Sequence, residues 1–180
     1  MDEDQVIYLS LVDHIVSGYS NTNNKTQLKM TTINPYLTFN GTCEEAFNFY
    51  KTVFKREFNF IGRFKEMAGK SKFPISKALE EKIMHVSLPI SAETTLMGSD
   101  SSDEFGHSTV VGNNFSVSIN TKSVEEATRI YNELSEGGTI KMPLDKTFWG
   151  SYFGLFTDKF GIHWMVNCEL EEHKDYERKG

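Results

Sequence analysis

An internal repeat constrains this chain more than any other feature of its sequence. Thr42-Cys43-Glu44-Glu45-Ala46 superposes on Ser123-Val124-Glu125-Glu126-Ala127 at an offset of 81 positions, 42 to 123, and Tyr50 then falls on Tyr131. Each block reads as a capping box. The hydroxyl of Thr42 or Ser123 is placed to accept from the backbone N–H three residues on, and Glu45 or Glu126 to reach back. Apolar residues follow at helical spacing in both halves: Ala46, Phe47, Tyr50, Val53 and Phe54, then Val124, Ala127, Tyr131 and Leu134. Each helix thus has one apolar stripe and needs a sheet to cover it.

The flanking segments supply those sheets. In the first half, Ile33–Asn40, Arg56–Phe64, Lys82–Ser91 and Thr94–Ser99 have strand composition. In the second half, Phe115–Asn120, Thr139–Met142, Phe148–Phe156 and Ile162–Cys168 do the same. Each half therefore reads β-α-β-β-β. The expected fold is α+β, two tandem βαβββ modules whose sheets enclose one crevice, with the first module over 30–110 and the second over 111–170. Residues 1–29 read as an N-terminal extension, with a short helix near Asp4–Ser17 and an Asn-rich polar linker. Residues 171–180 read as a charged tail. Lys65–Glu81, broken by Gly69 and Pro74, reads as a long loop over the mouth of the site, and Ser99–Asn113 as a polar connection.

The stretch Thr147–Cys168 concentrates the aromatic residues and holds both tryptophans. It reads as a hairpin around Asp158-Lys159-Phe160-Gly161, with Asp accepting local backbone bonds and Gly tolerating positive φ. Such a run either packs as core or lines a cavity. The net charge of −6 speaks against a nucleic-acid surface. No apolar run approaches the ~20 residues that span a bilayer, and the acidic start, Asp2-Glu3-Asp4, is wrong for a secretory signal. Cys43 and Cys168 read as reduced thiols in a cytoplasmic protein.

These residues resemble the vicinal oxygen chelate superfamily, which includes glyoxalase I, extradiol dioxygenases and the fosfomycin and bleomycin resistance proteins. Within it the chain is most similar to the PhnB-like subgroup. The resemblance lies in Pro35-Tyr36-Leu37-Thr38-Phe39, Glu45-Ala46-Phe47-Asn48-Phe49-Tyr50, Thr147-Phe148-Trp149 with Gly154, and Thr157-Asp158-Lys159-Phe160-Gly161 with Trp164-Met165-Val166-Asn167. It implies a cavity cupped between the modules and a homodimer. In metal-dependent relatives four ligands line that cavity. Aligned here, those positions fall on Pro35, Met97, Asn114 and Met165, so neither a metal nor another cofactor is expected. The subgroup often carries a demethylubiquinone methyltransferase label, but no strand, Gly-rich loop and helix for a nucleotide-like methyl donor is evident.

The expected function is small-molecule binding in an aromatic-lined cavity. The alternatives are a metal-independent lyase or isomerase and, further off, a divalent-metal enzyme. His163 and His85 are the candidate acid–base residues, since imidazole titrates near neutrality. Phe148, Trp149, Tyr152 and Trp164 are the candidate walls, with Met165 on the face of His163. Thr38, Ser99, Asp100, Ser118 and Asn167 are the polar candidates for orienting a ligand. Alternation places Ser118 on a face with Asn114.

Overall fold

Alternation along the strands decides which side chains meet the helices. The computed structural model describes residues 31–67, 75–102, 104 and 109–170. The extension 1–29, the tail 171–180, and His14, His107 and His173 lie outside the described residues. The first module runs β1 (Tyr36–Phe39), α1 (Cys43–Phe54), β2 (Phe60–Arg63), α2 (Lys77–Glu80), β3 (Ile83–Pro89) and β4 (Thr95–Asp100). The second runs β5 (Val117–Asn120), α3 (Val124–Ser135), β6 (Thr139–Lys146), β7 (Ser151–Thr157) and β8 (His163–Glu169). The sheet orders, β1-β4-β3-β2 and β5-β8-β7-β6, are the same topology used twice. In each sheet the first strand is parallel to the last, and the other pairs are antiparallel. The duplicated βαβββ reading holds.

Several local expectations change. Lys65–Glu81 is not all loop. A 3-10 turn occupies Phe64–Met67, and α2 starts where the Ser76 hydroxyl accepts from the Leu79 N–H. Phe148 and Trp149 belong to no strand, because β6 runs on to Lys146 and the chain turns before β7. The 81-residue offset holds for the helices. The strands repeat at the same offset, Tyr36–Phe39 against Val117–Asn120, with three-residue connections to the helix in both halves, but the buried positions shift by one: Leu37 and Phe39 in β1, Val117 in β5.

The two capping boxes also diverge. Ser123 Oγ accepts from the Glu126 N–H at 3.2 Å as expected. Thr42 makes no side-chain cap bond. Asp100, at the end of β4, caps α1 instead: one carboxylate oxygen accepts from Cys43 N–H at 3.0 Å and the other from Ile83 N–H at 2.9 Å. A carboxylate there also matches the positive end of the helix.

One apolar core runs through both modules. Ala46, Phe47, Tyr50 and Val53 of α1, and Ala127, Ile130, Tyr131 and Leu134 of α3, are buried in it. Gly98 makes room for Phe47: a Cβ there would stand 2.5 Å from the ring and 2.7 Å from the Leu37 carbonyl oxygen. The modules are tied at their helices. The Arg129 guanidinium donates to the Val53 carbonyl at 2.8 Å, and Tyr50 packs edge-on against Trp164 with ring centroids 5.5 Å apart. The strongest tie is Asp158. Its Oδ1 accepts from Phe160 N–H and Ile162 N–H, both at 2.9 Å. Its Oδ2 accepts from the Tyr50 hydroxyl at 2.7 Å and the Trp164 indole N–H at 2.8 Å. A buried carboxylate requires that many donors. Gly161, at φ +88°, closes the turn that presents it. Burial, and then the negative charge of Asp158, raise the Tyr50 phenol far above its ordinary range.

Candidate functional site

Two cavities open where the modules meet. The larger, about 520 Å³, lies between the C-terminal end of β1, the connection 109–115 and the turn into β8. Its walls include Leu37, Phe39, Val111, Phe115 and Ile162, with Thr38, Asn114 and His163 as polar groups. The smaller, about 260 Å³, is lined by Leu96, Ser118, Asn120 and Trp164, among others. Among the described residues, both openings draw walls from the two modules. Asn114 precedes β5 and lines the other cavity from Ser118, so strand alternation does not relate them.

The candidate residues separate into groups. Thr38 and His163 both line the larger cavity. His163 is held at both ring nitrogens. Nε2 lies 3.3 Å from the Gly112 carbonyl oxygen, which can only accept, so Nε2 carries the proton. In the uncharged ring Nδ1 then accepts from the Thr157 hydroxyl at 2.8 Å. The imidazole thus fastens the connection between modules to β8 while one edge faces the cavity.

His85 lies elsewhere, on the face of the first sheet turned from α1. The register puts Gly62 beside His85, Ser87 beside Met97 and Thr38 beside Ser99 on that face. The His85 ring is 7% exposed. It lies 3.3 Å through Nδ1 from the Tyr36 hydroxyl and near the ring of Phe60. Burial lowers its pKa, so the ring is uncharged at neutral pH. Ser99 is buried on the same strand face. Asp100, one residue on, points to the helix side and is engaged as the α1 cap, so it does not meet a ligand there.

The aromatic group disperses. Tyr152 pairs with Cys168 and packs against the core, and it lines neither of the two cavities described. Trp164 is 1% exposed and donates to Asp158; it is a core residue that touches the smaller cavity. Phe148 is 92% exposed and Trp149 48%, stacked edge to face on the β6–β7 turn with Phe153 beside them. Met165 is half-buried between Ser118 and Leu155, and the Asn167 amide donates to Asn120 at 3.2 Å. Sequence reasoning missed Asp158 as a buried hub, and Val111 and Phe115 as cavity walls. The turn motif around Asp158 was visible in the sequence; its partner Tyr50 is 108 positions away. Cys43 and Cys168 are both buried and unpaired. Burial, then the charge of Asp100, push the Cys43 thiol well above the usual thiol range.

The profile of the 3-demethylubiquinone-9 3-methyltransferase family matches residues 31–167, three-quarters of the chain. The chain belongs to that family. Among its relatives, YjdN of Escherichia coli K12 is 29% identical over 151 residues, covering 78% of this chain and 97% of YjdN. The structure of PA1353 from Pseudomonas aeruginosa is 39% identical with a TM-score of 0.68, over 79% of this chain and all of that one. A PhnB protein from Bacillus cereus is 26% identical with a TM-score of 0.60, over 77% and 99%. The family's fold extends further. FosX, the fosfomycin resistance protein of Listeria monocytogenes, has a TM-score of 0.52 at 11% identity over 82% and 98%, a likeness of fold alone. The chain is thus a PhnB-like member with a vicinal-oxygen-chelate-type fold.

That FosX structure is described as a complex with Mn(II), so the equivalent positions in this chain bear testing. Of the four positions the resemblance points to, Pro35 and Asn114 lie just before β1 and β5, and Met97 and Met165 lie on β4 and β8, where the register sets Tyr36 beside Met97 and Ser118 beside Met165. With these neighbours the set offers an amide, a phenol, a hydroxyl and two thioethers. A divalent ion of this kind prefers imidazole and carboxylate donors, so these residues do not fit it. Among the described residues no three His, Cys, Asp or Glu side chains gather closely enough to hold an ion elsewhere. No described helix is long and apolar enough to cross a membrane.

Proposed function

We propose that this family member binds a small organic molecule in the larger cavity, with Thr38, Asn114 and His163 orienting it. The observation that carries this reading is the cavity itself: about 520 Å³, mostly apolar, with a few convergent polar groups. Ligand sites commonly occupy about 300–1,000 Å³ with that balance. Phe115 is a wall residue that is itself exposed, so its removal leaves the fold intact. Phe115→Ala should abolish thermal shifts induced by compounds found in a small-molecule screen. Shifts unchanged in that variant would remove the cavity from the proposal.

A second reading is metal-independent lyase or isomerase chemistry at His85. The buried, uncharged ring beside the Tyr36 hydroxyl supports it, since a neutral imidazole is a competent base. His85→Gln would then erase turnover and leave binding in place. Turnover that survives the change would end this reading.

We further propose a second copy of the chain as the protein partner and the cytoplasm as its compartment. The exposed Phe148–Trp149 pair supports the first, since clustered exposed aromatic rings mark contact surfaces. The two unpaired buried thiols support the second. Light scattering should give a dimer mass that Phe148→Ser lowers. A monomer mass for the unaltered chain would end the dimer proposal.

A further inference from the structure

We infer that the larger cavity selects an uncharged ligand and turns anions away. The inference rests on the ligand site proposed above and concerns the chemistry it admits. Among the described residues, no Lys, Arg, Asp or Glu side chain lines the cavity; its polar side chains are hydroxyls, amides and the His163 imidazole. Asn40 and Thr42 bring the wall to the N-terminus of α1, a place where free backbone N–H groups and the helix dipole ordinarily hold a phosphate or carboxylate. Here an anion is already in place at that end, and further negative charge stands beside it. Asp100 accepts the Cys43 N–H, and Glu44 and Glu45 occupy the first helical turn. Behind the Phe160–Ile162 wall stands the Asp158 carboxylate, with its four donors fully engaged.

The cations nearby are committed elsewhere. The Lys159 ammonium stands over the rings of Phe49 and Phe160, 4.7 and 5.1 Å from their centroids, and the Arg63 guanidinium bonds Glu44 and the Glu81 carbonyl. An anion entering the cavity would lose hydration and meet no cation among the described lining residues, with the Asp100 and Asp158 carboxylates behind the wall. A cation would lose hydration too, and no carboxylate lines the wall to pair with it. An uncharged molecule with a hydroxyl or carbonyl finds apolar walls and neutral partners.

The test titrates the whole protein calorimetrically with three probes of nearly equal shape: naphthylmethanol, naphthoate and naphthylmethylammonium. The titrations run at about pH 8, above the ordinary imidazole range. The alcohol should bind, with naphthoate and the ammonium each weaker by about tenfold or more. Either ion binding within tenfold of the alcohol, or more tightly, overturns the inference while leaving a ligand site in place. Absence of binding by all three overturns the ligand site itself, and the inference with it. Val111→Lys adds an ammonium at the rim, at a residue 79% exposed and therefore tolerant of change. It should narrow the gap between alcohol and naphthoate by about tenfold. A gap left unchanged would show that the cavity's charge does not set the preference.

Discussion

The two modules share a topology but use their polar groups in opposite ways. On the sheet face turned from its helix, the first module buries His85, Ser87 and Ser99. The corresponding face of the second sheet presents Phe153, Leu155 and Met165, half-buried. The helix starts differ too: α1 is capped across the module by Asp100, whereas α3 is capped by its own Ser123. The difference teaches which features the duplicated fold holds fixed. Helix-facing positions must fill one core and stay apolar in both copies. The opposite faces and the caps are free to diverge, provided every buried polar group keeps a partner.

Substitutions of different severity test that contrast. The largest effect should come from Asp158→Ala, which strips a common acceptor from Tyr50, Trp164 and two backbone N–H groups. A loss of about 3–5 kcal/mol in urea unfolding is expected. A loss below about 1 kcal/mol would mean the modules do not depend on this tie. Asp100→Ala should follow at about 2–3 kcal/mol, since it uncaps α1 and leaves the Ile83 N–H unsatisfied. Ser123→Ala removes only a local cap and should cost about 1 kcal/mol. Equal costs for these two would erase the distinction between a cap reached across the module and a local one.

Gly98→Ala should cost about 1–3 kcal/mol by pressing a methyl against Phe47 and the Leu37 carbonyl. A neutral result would show that α1 can lift from its sheet. The smallest effect concerns pH. The folded-state pKa of His85 lies below the unfolded value of about 6.5 because burial opposes its charge. The unfolded chain therefore binds the proton first, so stability is lost as pH falls through about 6.5 and is regained above it. Melting temperatures between about pH 7.5 and 5.5 should decline less in His85→Gln than in the unaltered chain. Parallel curves would place the acid sensitivity elsewhere.

The fold was largely legible because local chemistry repeats. Ser123 caps as its box requires, Gly161 takes the positive φ the turn needs, and the apolar stripes of both helices are the buried faces. The site was less so. Thr38 and His163 do line one cavity, but Tyr152 and Trp164 turn to the core, and Phe148 stands in solvent. Within the aromatic hairpin, a one-residue shift reverses the face of every side chain. Composition alone could not say which ring went where.

By itself, then, the sequence determined the duplicated βαβββ order, the two apolar helix stripes and the family. The order and the stripes follow from spacing over a few neighbouring residues, and the family from the likeness of a few short motifs. Tertiary structure alone decided that Asp100 replaces Thr42 as a cap, that Asp158 joins Tyr50 to Trp164, and that residues 109–115 close a cavity against β1. Those contacts link positions tens of residues apart. A buried carboxylate takes whichever donors the packing brings within reach, and no local pattern records which they will be.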